Sequence, residues 1–131
     1  MRILALDYGV ARTGVAVSDE TETIASPLTV VQRATSPAGL EEIRSLVEVE
    51  RAERVVVGLP LTLRGERGRQ AEETEDFVRV LRAALDVPVE TYDERFTTAI
   101  AAQVSGEAPE DARAAAHLLE SYLGWKNASR T

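Results

Sequence analysis

The stretch that most constrains this chain is its beginning, where Met1 to Val17 reads MRILALDYGVARTGVAV. An apolar run, Ile3 to Leu6, is closed by a carboxylate, Asp7. After Tyr8-Gly9 and a short polar turn around Arg12-Thr13, a second apolar run covers Val15 to Val17. Two apolar runs separated by Gly and small polar residues predict a β-hairpin, with the turn in Val10 to Gly14. An acid within a buried-strand pattern is costly unless a cation, a hydrogen-bond donor or water compensates it. Asp7 is therefore the first candidate for a functional role. Its plain alternative is a turn-forming Asp before Tyr8-Gly9.

The rest of the chain continues from that hairpin. Asp19 to Glu22 is a polar turn, and Ser26 to Arg33 suits a third strand with Pro27 at its start, giving an antiparallel meander. Ser36 and Pro37 then fit the N-cap and first position of a helix whose Leu40, Ile43, Leu46 and Val47 share one face. Arg54 to Leu59, RVVVGL, is a β-branched run typical of a strand covered on both faces. A Gly- and Arg-rich loop over 61–69 leads to a helix from Gln70 to Leu85, and a short strand covers Val89 to Tyr92. Thr97 can cap a short helix through Val104. The last helix is expected from Pro109 to Leu123, with a stripe of Ala112, Ala115, Ala116, Leu119, Tyr122 and Leu123. Its small residues would let it approach the sheet closely near Asp111. The tail, about 125–131, is expected to be flexible.

Right-handed crossovers make the later strands parallel to the first. The expectation is an α/β fold in one domain over 1–131. Its mixed five-stranded sheet combines the antiparallel meander with parallel strands and carries helices on both faces.

With 44% hydrophobic and 28% charged residues, the composition supports a packed core and argues against disorder. No apolar run approaches the roughly 20 residues needed to span a membrane, and the N-terminal stretch does not read as a signal peptide. Cysteine is absent, which excludes thiolate metal sites and is compatible with a reducing cytosol. The net charge of −7 argues against non-specific nucleic-acid binding by the whole surface. Local basic surface remains possible, because Arg64, Arg67 and Arg69 share one loop and Arg12 and Arg95 lie in two others.

Three acidic positions share a context. Asp7 ends the first strand, Asp93-Glu94 ends the fifth, and Asp111 opens the last helix. If the first and fifth strands run parallel, their C-terminal ends share the sheet edge where open α/β sheets commonly bind ligands. Converging carboxylates repel unless a hard cation such as Mg²⁺ or Mn²⁺ lies between them. Such ions, singly or in pairs, suit phosphodiester cleavage. Alternation places Asp93 and Glu94 on opposite faces, so one of them at most faces an ion. Asp111 alone is better explained by the helix dipole, and the functional reading gains from the three acids occurring together. His117, the single histidine, reads as a helix-surface or partly buried side chain rather than a ligand, and Trp125 as packing for the helix end.

The ordered blocks Asp7-Tyr8-Gly9, Gly14 to Val17, Val56 to Pro60, Asp93 to Thr98, Asp111-Ala112 and Leu119 to Leu123 resemble the YqgF/RuvX family. That family has an RNase H fold and is associated with Holliday junction resolution and with maturation of the pre-16S rRNA 5′ end. The resemblance implies a cytoplasmic nuclease acting in ribosome biogenesis, with Asp7, Glu94 and Asp111 as catalytic metal ligands for Mg²⁺ or Mn²⁺. It implies a nucleic-acid partner, an rRNA precursor or a DNA junction, with Arg12, Arg64, Arg67, Arg69, Arg95 and Thr97 as contacts and a homodimer as one possible assembly. The chain departs from the family pattern between the fifth-strand motif and the last acid, where 99–110 is short and has no Lys or Arg. The alternative is a non-catalytic RNA-binding factor for ribosome assembly. A nucleotide-binding kinase-like fold has a similar first loop but requires two such domains.

Overall fold

The computed structural model describes residues 1–61, 64–94 and 108–128. Its elements are β1 (Arg2–Asp7), β2 (Arg12–Ser18), β3 (Ala25–Gln32), α1 (Pro37–Val49), β4 (Ala52–Leu59), α2 (Arg69–Ala84), β5 (Val89–Asp93) and α3 (Glu110–Ala128). The five strands form one sheet in the order β3-β2-β1-β4-β5. The pairs β1–β2 and β2–β3 are antiparallel, and β1–β4 and β4–β5 are parallel. The expected meander followed by crossovers is the observed topology.

Central position explains why β1 and β4 read as continuous apolar runs. Leu4, Leu6, Val55 and Val57 pack with Ile43 of α1 and Phe77 and Leu81 of α2. Ile3, Ala5 and Val56 pack with Ala115, Leu119 and Tyr122 of α3. Successive residues of a strand point to opposite faces, so a strand covered on both sides cannot afford polar alternation. Helix α1 begins as the sequence predicts, with Ser36 Oγ accepting from the Gly39 amide at 3.0 Å.

Helix α3 lies unusually close to β2. A Cβ built on Gly14 would fall 1.8 Å from the Asp111 carbonyl oxygen and 2.4 Å from its carbonyl carbon. The helix backbone therefore rests on the strand where a side chain would stand. Ala112, Ala115 and Ala116, all buried, extend that close approach along the helix. This is the small-residue stripe read from the sequence.

Several boundaries differ from expectation, three of them for reasons that distant contacts supply. β2 starts at Arg12, not after the turn, because Arg12 and Thr13 pair with Gln32 and Val31 of β3. β3 starts at Ala25, ahead of Pro27; as an edge strand it tolerates proline, and Pro27 faces Ala16 beside a register irregularity. Helix α3 continues to Ala128, past the expected end at Leu123 and into the stretch expected to be loose. Tertiary contacts hold this extension. Lys126 Nζ pairs with the buried Glu22 carboxylate at 2.6 Å, Asn127 donates to the Glu22 carbonyl oxygen, and Trp125 packs against Tyr92 and Tyr122. The helix expected from Thr97 through Val104 lies outside the described residues.

Gly14→Ala is expected to cost about 3 kcal/mol or more, since helix backbone and not a flexible side chain must move. Gly124→Ala, in helical backbone with nothing near the added methyl, is expected to gain ~0.5–1 kcal/mol. Urea unfolding of the two variants beside the parent chain checks both signs.

Candidate functional site

The strand period and two glycines bring Asp7 and Glu94 together and place Asp111 beside them. Ile3 and Ala5 face α3, so Asp7, next in the alternation, leaves β1 on that same side. Its partner across β2 is Gly14, the glycine beneath Asp111. On the other side, Val56 and Tyr92 also face α3, and Gly58 and Glu94 follow them in alternation. A Cβ on Gly58 would lie 2.4 Å from Glu94 Oε1 and 2.9 Å from its Cγ. The missing side chain at Gly58 is thus the seat of the Glu94 carboxyl.

Asp7 and Glu94 share a hydrogen bond between their carboxyl groups. Burial, reinforced by the Asp7 charge, the hydrogen bond to Asp7 and the Asp93 charge, pushes Glu94 up to about 7. Burial also raises Asp7, opposed by the hydrogen bond from Glu94 and aided by the Asp111 charge. Both carboxyls are thus held above the usual carboxylate range and titrate as a coupled pair. Asp111 acts on Asp7 through its charge, while its own carboxylate forms an ion pair with Arg12, Nε to Oδ2 at 3.2 Å.

This donor set suits a hard divalent cation: oxygen ligands whose repulsion is now relieved by a proton that an ion can replace. Among the described residues, no three Asp, Glu or His side chains are already gathered around one point. Asp7 and Glu94 are joined, and Asp111 stands beside them on Arg12.

Two clefts flank the pair. Toward α2, a cleft of about 210 Å³ is lined by Tyr8, Pro60, Gln70 and Glu73 as well as by both acids. Tyr8 forms part of its wall, stacked on Phe77 with ring centroids 4.4 Å apart. Toward α3, a cleft of about 270 Å³ is lined by Asp7, Glu94, Ala114, His117 and Leu118.

The expected basic contacts separate. Arg12 stands at the acids. Arg67 pairs with Glu75, and Arg69 pairs with Glu73 at 3.3 Å, so the loop arginines are tied to α2. Arg64 is exposed. Arg95 and Thr97 lie outside the described residues. Glu73 and Gln70 were not singled out by the sequence because they resemble any polar helix face. His117 was placed correctly as partly buried, but its cleft was not foreseen. The signal available was helical spacing, with Asp111, Ala114, His117 and Leu118 within two turns along one side of α3.

The family described as "RuvX: Holliday junction resolvase" matches residues 1–124. A protein of Chloroflexus aurantiacus provisionally named a pre-16S rRNA nuclease is 44% identical over 130 residues, covering 92% of this chain and 85% of that protein. A protein of Halothermothrix orenii with the same name is 38% identical over 136 residues, covering 97% of each. Among solved structures, Thermus thermophilus RuvC in complex with a Holliday junction substrate aligns with TM-score 0.66 and 18% identity, over 98% of this chain and 96% of that one. The fowlpox virus resolvase, solved with Holliday junction DNA, aligns with TM-score 0.50 and 12% identity, over 99% and 98% of the two chains. These likenesses show a shared RNase H-like fold.

A pH dependence follows from the acid pair in metal-free protein. The folded state keeps the Glu94 proton up to about 7, whereas an unfolded Glu releases it near its ordinary value. The folded state therefore binds more protons between those values, and stability is full below the lower one and lost as pH rises through the upper. The melting temperature in chelator is expected to fall on the order of 3 °C from about pH 5 to about pH 8. Glu94→Gln is expected to flatten that fall, and an unchanged slope in this variant contradicts the account.

Proposed function

Because this chain belongs to the RuvX family, we propose that it is a metal-dependent nuclease hydrolysing phosphodiester bonds in structured nucleic acid, with 5′-end maturation of pre-16S rRNA as its principal task and a Holliday junction as a second substrate. The observation that carries this reading is the Asp7–Glu94 pair: two acids brought into one cleft at the open edge of the sheet, Glu94 over Gly58, with Asp111 beside them. A structural ion pair would bring a cation to these acids; among the described residues, Arg12 pairs instead with Asp111.

In this reading Asp7, Glu94 and Asp111 hold Mg²⁺ or Mn²⁺. When bound, the ion lowers the pKa of water and offsets the charge that builds up at phosphorus. The protein's own part is positional. Asp7 is anchored by a strand paired on both sides, and Glu94 is seated over Gly58. Water attacks phosphorus, the bond to the 3′ oxygen breaks, and that oxygen takes a proton as it leaves. Arg12, 62% exposed beside Asp111, is placed to offset phosphate charge. Arg95 and Thr97, next to the acid pair in sequence, and the loop arginines Arg64, Arg67 and Arg69 would contact the backbone farther out. An acidic chain needs such local contacts, because its net charge repels nucleic acid. A homodimer would match the two-fold symmetry of a junction. The site of action is the cytoplasm, where rRNA precursors are processed; among the described residues no helix is long and apolar enough to cross a membrane.

The direct test offers labelled precursor rRNA and four-way junction DNA to the purified chain with Mg²⁺, Mn²⁺ or chelator. Cleavage that needs the ion is expected, and Asp7→Asn should lower it beyond the ~100-fold that loss of an outer-shell partner costs. The melting temperature of this variant should equal or exceed that of the parent, since a buried charge is removed. Cutting by Asp7→Asn at the parental rate would refute the assignment.

Gly58→Ala separates positioning from stability. The added methyl meets the movable carboxyl of Glu94, so the urea midpoint should change little while cleavage drops about 100-fold through misplacement of that group.

A further inference from the structure

The cleft on the α3 side of the acid pair contains a group that the proposed chemistry leaves unused. His117 lines it together with Asp7, Glu94, Ala114 and Leu118. The ring nitrogen Nε2 of His117 is buried and has no hydrogen-bond partner among the described residues. Leaving such a nitrogen unpaired is unfavourable, and a residue needed only to fill space beside Ala114 and Leu118 would serve better as an apolar one. A neutral imidazole nitrogen is the commonest protein ligand for metal ions.

We propose that His117 supplies a nitrogen ligand, through Nε2, to the divalent ion that Asp7 and Glu94 hold, approaching it from the α3 side. This rests on the metal-dependent reading above and deepens it. Among the described residues the three groups are not gathered around one point, so shared ligation requires the imidazole and the acids to draw together around the ion. The chemistry also sets a preference. Imidazole suits later first-row ions, whereas carboxylate, carbonyl and water oxygens suit Mg²⁺ and Mn²⁺. A nitrogen in this position therefore matters least for Mg²⁺, the hardest of these ions.

The chain has a single histidine, which makes the assignment spectroscopically clean. Mn²⁺ alone is added to the untagged full chain, and pulsed electron paramagnetic resonance is used to look for ¹⁴N coupling to the ion. Coupling is expected in the parent chain and absent in His117→Gln and His117→Ala. Titration calorimetry of these variants should give Mn²⁺ affinity lower by ~10-fold or more, with a smaller change for Mg²⁺. Melting curves identify a variant that does not fold, and the parent spectrum decides the matter in that event. If Mn²⁺ binds, depends on Asp7, and shows no ¹⁴N coupling, His117 is not a ligand while the metal site stands. Coupling that persists in His117→Gln also overturns the proposal. If Mn²⁺ does not bind, or binds Asp7→Asn as tightly as the parent, the metal-dependent reading itself fails.

Discussion

The contact between the first turn of α3 and the floor of β2 governs the rest of the site. At Gly14 the helix carbonyl of Asp111 occupies the space that a side chain on the strand would need. That same glycine is the strand partner of Asp7. One missing methyl thus lets the helix acid approach the strand acid across a single step of the sheet. The alanines that follow keep the helix against the sheet, and contacts of its far end with Glu22 hold the other terminus. A helix fixed at both ends leaves Asp111 little freedom to drift from the strand edge.

A second missing side chain, at Gly58, works by the same physics on the opposite flank. It receives a carboxyl instead of a helix backbone. The result is an acid on each side of Asp7, reached from different elements and separated widely in sequence. Burial and mutual repulsion make this arrangement unfavourable, as the raised Asp7 and Glu94 indicate. The compensation is distributed over the two apolar layers, where Leu4, Leu6, Val55 and Val57 lie on one face and Ile3, Ala5 and Val56 on the other, all fully buried. A locally unfavourable site on a strongly buried central strand is a common way for folds to hold reactive groups in place.

Much of this was legible in the residues. The unbroken runs of β1 and β4, the Ser36-Pro37 helix start and the alanine stripe of α3 each carry a local signal, since strand period, capping and small-residue spacing are properties of short windows. Asp7 was legible for the same reason, as an acid out of place in an apolar run. The errors cluster where distant contacts decide. β2 begins early because β3 pairs with it, and α3 runs on because Glu22, Tyr92 and Tyr122 hold its end. Glu22, read as part of a polar turn, is buried by that same helix end. The arginine loop looked like free positive charge, but Arg67 and Arg69 are committed to acids of α2.

By itself the sequence determined the element order, the mixed sheet and the identity of three acids worth watching, because hydrophobic period and turn chemistry act within a few residues. It also carried enough ordered motifs to point to a family. Only the tertiary structure decided that Asp7 and Glu94 meet, that Asp111 leans on Arg12, and that His117 joins the acids in one cleft. The opening strand named an awkward acid, but not its neighbours. Those neighbours come from a strand and a helix far along the chain, and their approach depends on the space left by Gly14 and Gly58, which no local pattern discloses.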